Sequence, residues 1–185
     1  ERKNRLIETL KKSAYLYKRD VLGQRVMPQG VIYSNFDMQE HVDAQLVGKV
    51  IETYFEADAG QGDATTCSYN IITQYKDDTG RYRYHLYRAA NYHHSGTETG
   101  QTKAMSTYAR EIQTFMRWCY DKWGYRYSSV FVDPAAKSLR EEFHLLGIDT
   151  TRADNNASDK VQSNGTKIEV GIERARTCIE EGYFS

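Results

Sequence analysis

Two aspartates follow apolar, strand-like segments that lie far apart in the chain. Asp58 ends the run Tyr54–Ala57 and enters a glycine-bearing turn, and Asp133 ends the run Ser129–Val132. A carboxylate at a strand end, surrounded by small residues, leaves room for a metal ion and a phosphate to approach. Taken singly, either Asp is explained more simply as the cap of a turn or a helix, where Asp is common. The pair is what suggests phosphodiester chemistry.

Metal-dependent phosphodiester cleavage sets clear requirements for such a pair. Two divalent ions about 3.5–4 Å apart need converging carboxylates. Magnesium prefers oxygen ligands and keeps several waters, so no His or Cys is required. We therefore predict that Asp58 and Asp133 are catalytic, metal-binding residues for two Mg²⁺ or Mn²⁺ ions, on condition that their two strands are neighbours in the sheet.

Other candidate residues have simpler interpretations. Asp63 is interpreted as a turn-stabilising residue, and His93 and His94 as part of a polar loop without further ligands at metal-binding spacing. Glu98, in the same loop, gives only a weak signal. The chain has no Gly-rich phosphate loop, no Gly-x-Ser-x-Gly and no His-Glu-x-x-His, which argues against an ATP-hydrolysing motor, a serine hydrolase and a zinc protease.

The composition is that of one globular domain with unevenly placed charge. The 185 residues carry no net charge, yet residues 1–25 contain eight Lys or Arg against three acidic residues. DNA binding must therefore be local rather than global. Three widely separated cysteines fit neither a zinc site nor a disulfide framework and predict reduced core thiols. No apolar run approaches 18 residues, so we expect no membrane span.

The hydrophobic periodicity predicts helices and strands in an order typical of α/β proteins. An antiparallel three-stranded unit is followed by helices that alternate with further strands, and a polar loop is expected at 91–102. The predicted helices are 2–18, 102–123, 134–146 and 168–179, and the predicted strands are 31–33, 50–57, 65–74, 82–87, 128–132 and 148–150. We predict an α/β fold with a ribonuclease-H-like mixed β-sheet flanked by helices.

Several segments, in the same order, resemble the nuclease domain of the large terminase subunit of tailed bacteriophages. They resemble that family's linker from its ATPase, its first active-site strand, its second acidic strand and the start of a late helix. The segments are Tyr17–Gln24, Gln29–Asp37, Glu56–Thr65, Val130–Ala135 and Lys167–Arg174.

The resemblance implies a domain division and an activity. Residues 1–48 would be an N-terminal helix and a connecting segment from an ATPase domain, and residues 49–185 the nuclease domain. The activity would be that of an endonuclease that cuts concatemeric double-stranded DNA with little sequence preference. Asp58 and Asp133 would be the metal-binding carboxylates, and a third would be expected beyond Ser185.

The resemblance also implies partners and a location. The partners would be double-stranded DNA, the small terminase subunit, the portal protein and the ATPase domain of the same polypeptide, in the host cell cytoplasm, with no membrane. For phosphate contacts, we consider basic residues of the long helix at 102–123, and Arg152, Lys160 and Lys167.

Two alternatives stay open at this stage. One is a Holliday-junction resolvase or integrase-like nuclease of the same fold, which would use the same carboxylates on branched DNA. The other is a non-catalytic module that docks on DNA or on a portal through the basic N-terminal helix. Metal-dependent cutting of plasmid DNA separates the nuclease from the docking module.

Overall fold

The computed structural model describes residues 33, 36–42, 45–60, 63–154 and 167–184. The chain divides into two compact units, Glu1–Phe36 and Asp37–Ser185, and nearly all described residues belong to the second. The helix predicted at 2–18 lies outside the described residues, as do residues 31 and 32 of the first predicted strand, whereas Tyr33 lies in a turn. The predicted domain boundary after residue 48 stays a prediction.

A five-stranded mixed sheet organises the second unit, as the sequence predicts. The strands are β1 (Lys49–Asp58), β2 (Ala64–Lys76), β3 (Tyr82–Ser95), β4 (Ser129–Val132) and β5 (Thr151–Arg152). Their spatial order is β3-β2-β1-β4-β5. Neighbours among β1, β2 and β3 are antiparallel, whereas β4 runs parallel to β1 and β5 parallel to β4. The chain thus crosses over between β3 and β4 by way of a helix.

Five helices are described. They are α1 (Met38–His41), α2 (Gly96–Thr99), α3 (Met105–Trp123), α4 (Lys137–Leu145) and α5 (Lys167–Glu180). The long helix α3 ends where predicted, because Gly124 takes a left-handed conformation at φ 75° that residues other than glycine rarely adopt. Within the described ranges, no helix combines the length and apolarity that a membrane span requires.

The core lies between one face of the sheet and the helices α3 and α4. Phe55, Tyr69 and Val130 project from the sheet into this layer, and Ile112 and Phe143 meet them from the helices, all nearly inaccessible to solvent. The rings of Phe55 and Tyr69 pack with centroids 4.8 Å apart. These side chains come from alternate strand positions, as a sheet with one helix-covered face requires.

The prediction of a polar loop at 91–102 is wrong. β3 continues to Ser95 and is followed by the one-turn helix α2. The extension forms because β2 offers a partner along its whole length, with Thr66 paired to His93 and Ala64 to Ser95. Backbone pairing with a neighbouring strand therefore overrides the polar composition of residues 91–95.

Several element boundaries also differ from the prediction, among them those of the last strand and of α4. The last strand is Thr151–Arg152 rather than 148–150, because Ile148 is buried and its N–H donates to the carbonyl of Phe143 at the end of α4 (2.9 Å). Pro134 lies in a turn before α4 instead of in its first turn, since the helix begins at Lys137.

Candidate active site

The two predicted aspartates lie at the same edge of the sheet. β1 and β4 are adjacent and parallel, with Ala57 in register with Val132, so Asp58 and Asp133 both lie at carboxyl ends. The N–H of Asp133 donates to the carbonyl oxygen of Ala57 (3.2 Å), which holds the two strand ends side by side. The strand adjacency that the predicted metal site requires is therefore present. Ligands of open α/β sheets bind at this kind of edge.

A cavity of about 640 Å³ lies over this part of the sheet, on the face opposite the core. β1 alternates there between buried and accessible residues, with Phe55 and Ala57 in the core and Glu56 and Asp58 exposed. The cavity contains both predicted aspartates. Its lining residues are Tyr54, Glu56, Ala57, Asp58, Thr66, Ser68, Arg88, Asn91, Phe131, Asp133, Ala153 and Asp154.

Asp133 has a structural role as well as its place in the cavity. One of its carboxylate oxygens accepts a hydrogen bond from the N–H of Ala135 (2.7 Å), which shapes the turn between β4 and α4. The simpler interpretation of this residue as a turn cap is therefore partly correct. A carboxylate offers about four lone-pair positions, so this hydrogen bond is compatible with metal coordination.

The donor set at the cavity suits a hard divalent cation. Asp58 and Asp133 supply carboxylate oxygens, which Mg²⁺ and Mn²⁺ favour. Within the described part of the chain, no three His, Cys, Asp or Glu side chains come together as a metal-binding group. Magnesium sites commonly use one or two protein carboxylates, with waters and substrate phosphate as further ligands. The two aspartates therefore fit the metal class that the sequence predicts.

Asp154 is a cavity residue that the sequence analysis did not propose. β5 pairs in parallel with β4, and the N–H of Ala153 donates to the carbonyl of Val132 (2.9 Å). This pairing brings the residues after β5 to the edge where Asp133 lies, and Asp154 lines the cavity there. An acid directly after a short strand is the signal that could have identified it, but the strand was predicted three residues too early.

Glu56 and Arg88 form an ion pair within the cavity and were also missed. The Arg88 Nη2 lies 3.6 Å from a Glu56 carboxylate oxygen, and both side chains are about half exposed. Burial, followed by the charge of Glu56, raises the pKa of the neighbouring Tyr54 hydroxyl to about 12, with Arg88 opposing the shift. Tyr54 therefore remains a protonated hydrogen-bond donor at neutral pH.

The residues predicted to contact DNA phosphates lie elsewhere or outside the described part of the chain. Arg152 is exposed on β5 and lines a separate cavity of about 450 Å³ beside α4, with Arg140 and His144. Lys167 begins α5, but its side chain is outside the described residues, and so is the whole of Lys160. The structure therefore does not bring Arg152 to the cavity that holds the two aspartates.

The basic residues of the long helix lie on the opposite side of the sheet from this cavity. α3 packs its apolar stripe on the core face. Lys103, two residues before α3, pairs with Glu111 at 2.8 Å, and the Lys122 ammonium lies 4.4 Å from the centroid of the Trp123 ring. The local contacts of these two lysines favour a surface role over a role at the cavity.

His93 and His94 lie on β3, and His94 has a structural partner. A ring nitrogen of His94 and the Tyr108 hydroxyl are 3.0 Å apart, which links β3 to α3. Asp63 is exposed next to the start of β2, and Glu98 lies in α2. None of the four lines the main cavity.

Comparisons with solved structures identify the architecture. The large terminase from a thermophilic bacteriophage superposes with a TM-score of 0.62 at 23% identity, covering 88% of this chain and 35% of that one. The same terminase in complex with ADP gives 0.62 at 24% identity, covering 91% and 36%. The P22 large terminase nuclease domain gives 0.51 at 12% identity, covering 86% and 73%.

The chain therefore spans about a third of the thermophilic phage terminase. No family model matches the sequence, and no curated protein matches it at a significant level. At these identities the likeness concerns the fold. The chain has the ribonuclease-H-like α/β fold of the nuclease domain of phage large terminases.

Proposed function

We propose that this chain is a metal-dependent endonuclease domain of a DNA-packaging terminase, which cuts concatemeric double-stranded DNA with little sequence preference. The observation that carries the proposal is the pairing of β1 with β4, which brings Asp58 and Asp133 to one cavity at the carboxyl edge of the sheet. The shared fold with phage terminases supports the same conclusion.

The chain's own residues would bind and orient the reacting groups. Asp58 and Asp133 would hold two Mg²⁺ or Mn²⁺ ions through their carboxylate oxygens, with the Asp133 side chain oriented by its hydrogen bond from Ala135. The bound ions would activate a water and stabilise the leaving oxygen of the phosphodiester. Tyr54, protonated at neutral pH, would donate a hydrogen bond toward substrate in the cavity.

Plasmid cleavage tests the proposal directly. We expect nicking in Mg²⁺ or Mn²⁺ that EDTA abolishes, and losses of more than about 100-fold in Asp58→Asn and Asp133→Asn, because even indirect metal contacts are worth 10–100-fold. Asp121→Asn is the matched control, since Asp121 is exposed on α3, on the other side of the sheet. Thermal unfolding of each variant separates lost activity from lost fold.

Three results would contradict the proposal. Cutting that persists in both Asp58→Asn and Asp133→Asn would place the active site elsewhere. A folded protein that binds duplex DNA but never cuts it with either metal, even within a longer polypeptide that supplies the implied third carboxylate, would favour a docking module. Preference for branched over linear DNA would instead favour a resolvase-like activity.

The wider assignment follows from the same proposal. As a terminase nuclease, the domain would act with an ATPase domain of the same polypeptide, a small terminase subunit and a portal protein, in the host cell cytoplasm. Co-purification of the protein with a portal ring tests the interaction with the portal protein.

A further inference from the structure

The charged side chains that line the cavity over the sheet are mostly acidic. Four carboxylates line it, from Glu56, Asp58, Asp133 and Asp154. Arg88 is the only Lys or Arg among the described residues that line it. A polyanionic strand of nucleic acid gains affinity mainly from cationic groups that meet its phosphates. Arg88 is therefore the group in this cavity through which a phosphate would gain affinity without a metal.

The Arg88 guanidinium lies near the Glu56 carboxylate but makes no hydrogen bond with it. Its nitrogen lies 3.6 Å from the Glu56 carboxylate, a distance longer than a hydrogen bond. A guanidinium carries five N–H donors in a planar fork, which matches the geometry of a phosphate. Since Glu56 and Asp58 are two residues apart on β1, their side chains emerge about 7 Å apart on one face. The contact with Glu56 therefore places the Arg88 guanidinium in the cavity that also contains Asp58.

The strand positions beside Arg88 carry polar side chains instead of apolar ones. Ser68 donates a hydrogen bond to the Asn91 side-chain oxygen (3.0 Å), and this bond leaves the two N–H donors of the Asn91 amide directed away from Ser68. Asn70 lies in register between Tyr54 and Arg88. It is 1% exposed, and its side-chain nitrogen has no hydrogen-bond partner among the described residues.

We propose that Arg88 and Asn91 form a phosphate-binding subsite for the DNA strand beside the Asp58 edge, with Glu56 as the positioning residue for the Arg88 guanidinium. The subsite takes a backbone phosphodiester next to the one that is cut, and it reads no sequence, because it contacts phosphate and not bases. The assignment of the ligand rests on the proposed nuclease function. The binding step itself can be measured without cleavage.

Equilibrium binding to a short fluorescent duplex, with Ca²⁺ present to neutralise the carboxylates, tests the subsite. We expect Arg88→Ala to weaken binding about 10-fold, as for the loss of a hydrogen bond to a charged group. It should also lower the slope of log affinity against log salt by about one. Arg88→Lys should keep the slope and recover only part of the affinity, because an ammonium cannot bind phosphate bidentately. Asn91→Ala should cost about threefold and leave the salt slope unchanged, because the uncharged amide releases no counterion when it binds phosphate.

Arg117→Ala is the matched control, because it removes the same charge from an exposed position on α3, across the sheet from the cavity. The proposal is overturned if Arg88→Ala and Arg117→Ala have the same affinity and the same salt slope. In cleavage assays, Arg88→Ala should raise KM and leave kcat nearly unchanged.

The two proposals fail in different ways. If the protein cuts DNA through Asp58 but Arg88→Ala changes neither affinity nor KM, the subsite is wrong and the nuclease stands. If the protein never cuts, even within a longer polypeptide that supplies the implied third carboxylate, but Arg88→Ala still weakens binding and lowers the salt slope, the nuclease is wrong and the phosphate contact stands.

Discussion

The two faces of the sheet are built from the same strands but serve different purposes. Toward α3 and α4, the sheet presents Phe55, Tyr69 and Val130, each at most 1% exposed. Toward the cavity, β1 and β2 present polar or charged side chains at adjacent positions, as at Glu56 and Ser68, while β4 presents Phe131. The covered face accounts for stability, and the cavity face holds the groups that could do chemistry.

Placing a charged side chain is energetically costly on the covered face only. A carboxylate in the covered layer would lose its hydration without a partner, so functional acids must occupy the cavity face or the strand ends. The strand period of two then separates stability from chemistry along a single strand. Substitutions at neighbouring positions of β1 should therefore have very different consequences.

Thiol labelling should show the largest difference between the faces. Cys67 and Cys119 are fully buried in the covered layer, whereas Cys178 is exposed. Burial raises the pKa of Cys67, and it raises that of Cys119 to about 12. We expect the Cys178 thiol to react quickly in the native protein. Cys67 and Cys119 should react at least about 10³-fold more slowly, since the core must open before they are reached.

Mass spectrometry after timed exposure to a maleimide measures these rates. Cys178→Ser provides the control, because native labelling should then nearly disappear. Labelling of all three cysteines at one rate would show that the covered layer is open in solution. The sequence prediction of core thiols is confirmed for Cys67 and Cys119 and is wrong for Cys178.

Adjacent substitutions on β1 give the next largest effect. Phe55 packs against the rings of Tyr69 (4.8 Å between centroids) and Tyr127 (5.3 Å). Phe55→Ala should lower the free energy of unfolding by about 3–5 kcal/mol. Glu56→Gln, one residue away, should cost less than about 1 kcal/mol, because its ion pair with Arg88 is long and half exposed.

Urea unfolding at neutral pH compares the two variants. The comparison fails if Glu56→Gln destabilises the protein as much as Phe55→Ala, since the cavity face would then contribute to the core. A small change for both would mean that the covered layer is packed less tightly than its burial indicates.

The sequence predicted most of the covered face and only part of the cavity face. The stripe on α3 and the alternation on β1 repeat with clear periods, so helix and strand types and the core positions followed from the sequence. Asp58 and Asp133 also followed, because each directly ends an apolar strand. These are local signals, readable without knowledge of strand pairing.

The missed residues depend on which strands meet. Arg88 and Asn91 line the cavity only because β3 pairs with β2 beyond residue 87, where the strand predicted from the sequence ends. Asp154 reaches it only because a two-residue strand pairs with β4. Pairing between segments distant in sequence leaves no periodic pattern in either segment alone, so these residues could not be placed.

The turn between β2 and β3 belongs to neither face of the sheet, and charge and hydrogen bonds stabilise it. A substitution there should have the smallest effect of the three comparisons. Asp77 accepts hydrogen bonds from the Thr79 hydroxyl (2.6 Å) and the Arg81 N–H (3.0 Å), and pairs with Arg83 (2.8 Å). The Thr79 hydroxyl and then the Arg83 guanidinium hold the Asp77 pKa well below its usual range. Arg83 also donates to the Tyr183 hydroxyl after α5 (3.3 Å).

A carboxyl whose pKa is lower in the folded state stabilises the fold above its unfolded pKa, which is about 3.9. That contribution is lost as the pH falls through the folded pKa. We therefore expect Asp77→Asn to lower the melting temperature at neutral pH, by less than Phe55→Ala, and the gap from wild type to narrow below about pH 4. Asp78→Asn, at the exposed neighbouring position, is the control. A gap that stays constant from neutral pH to about pH 2 would show that the Asp77 charge contributes nothing to the turn.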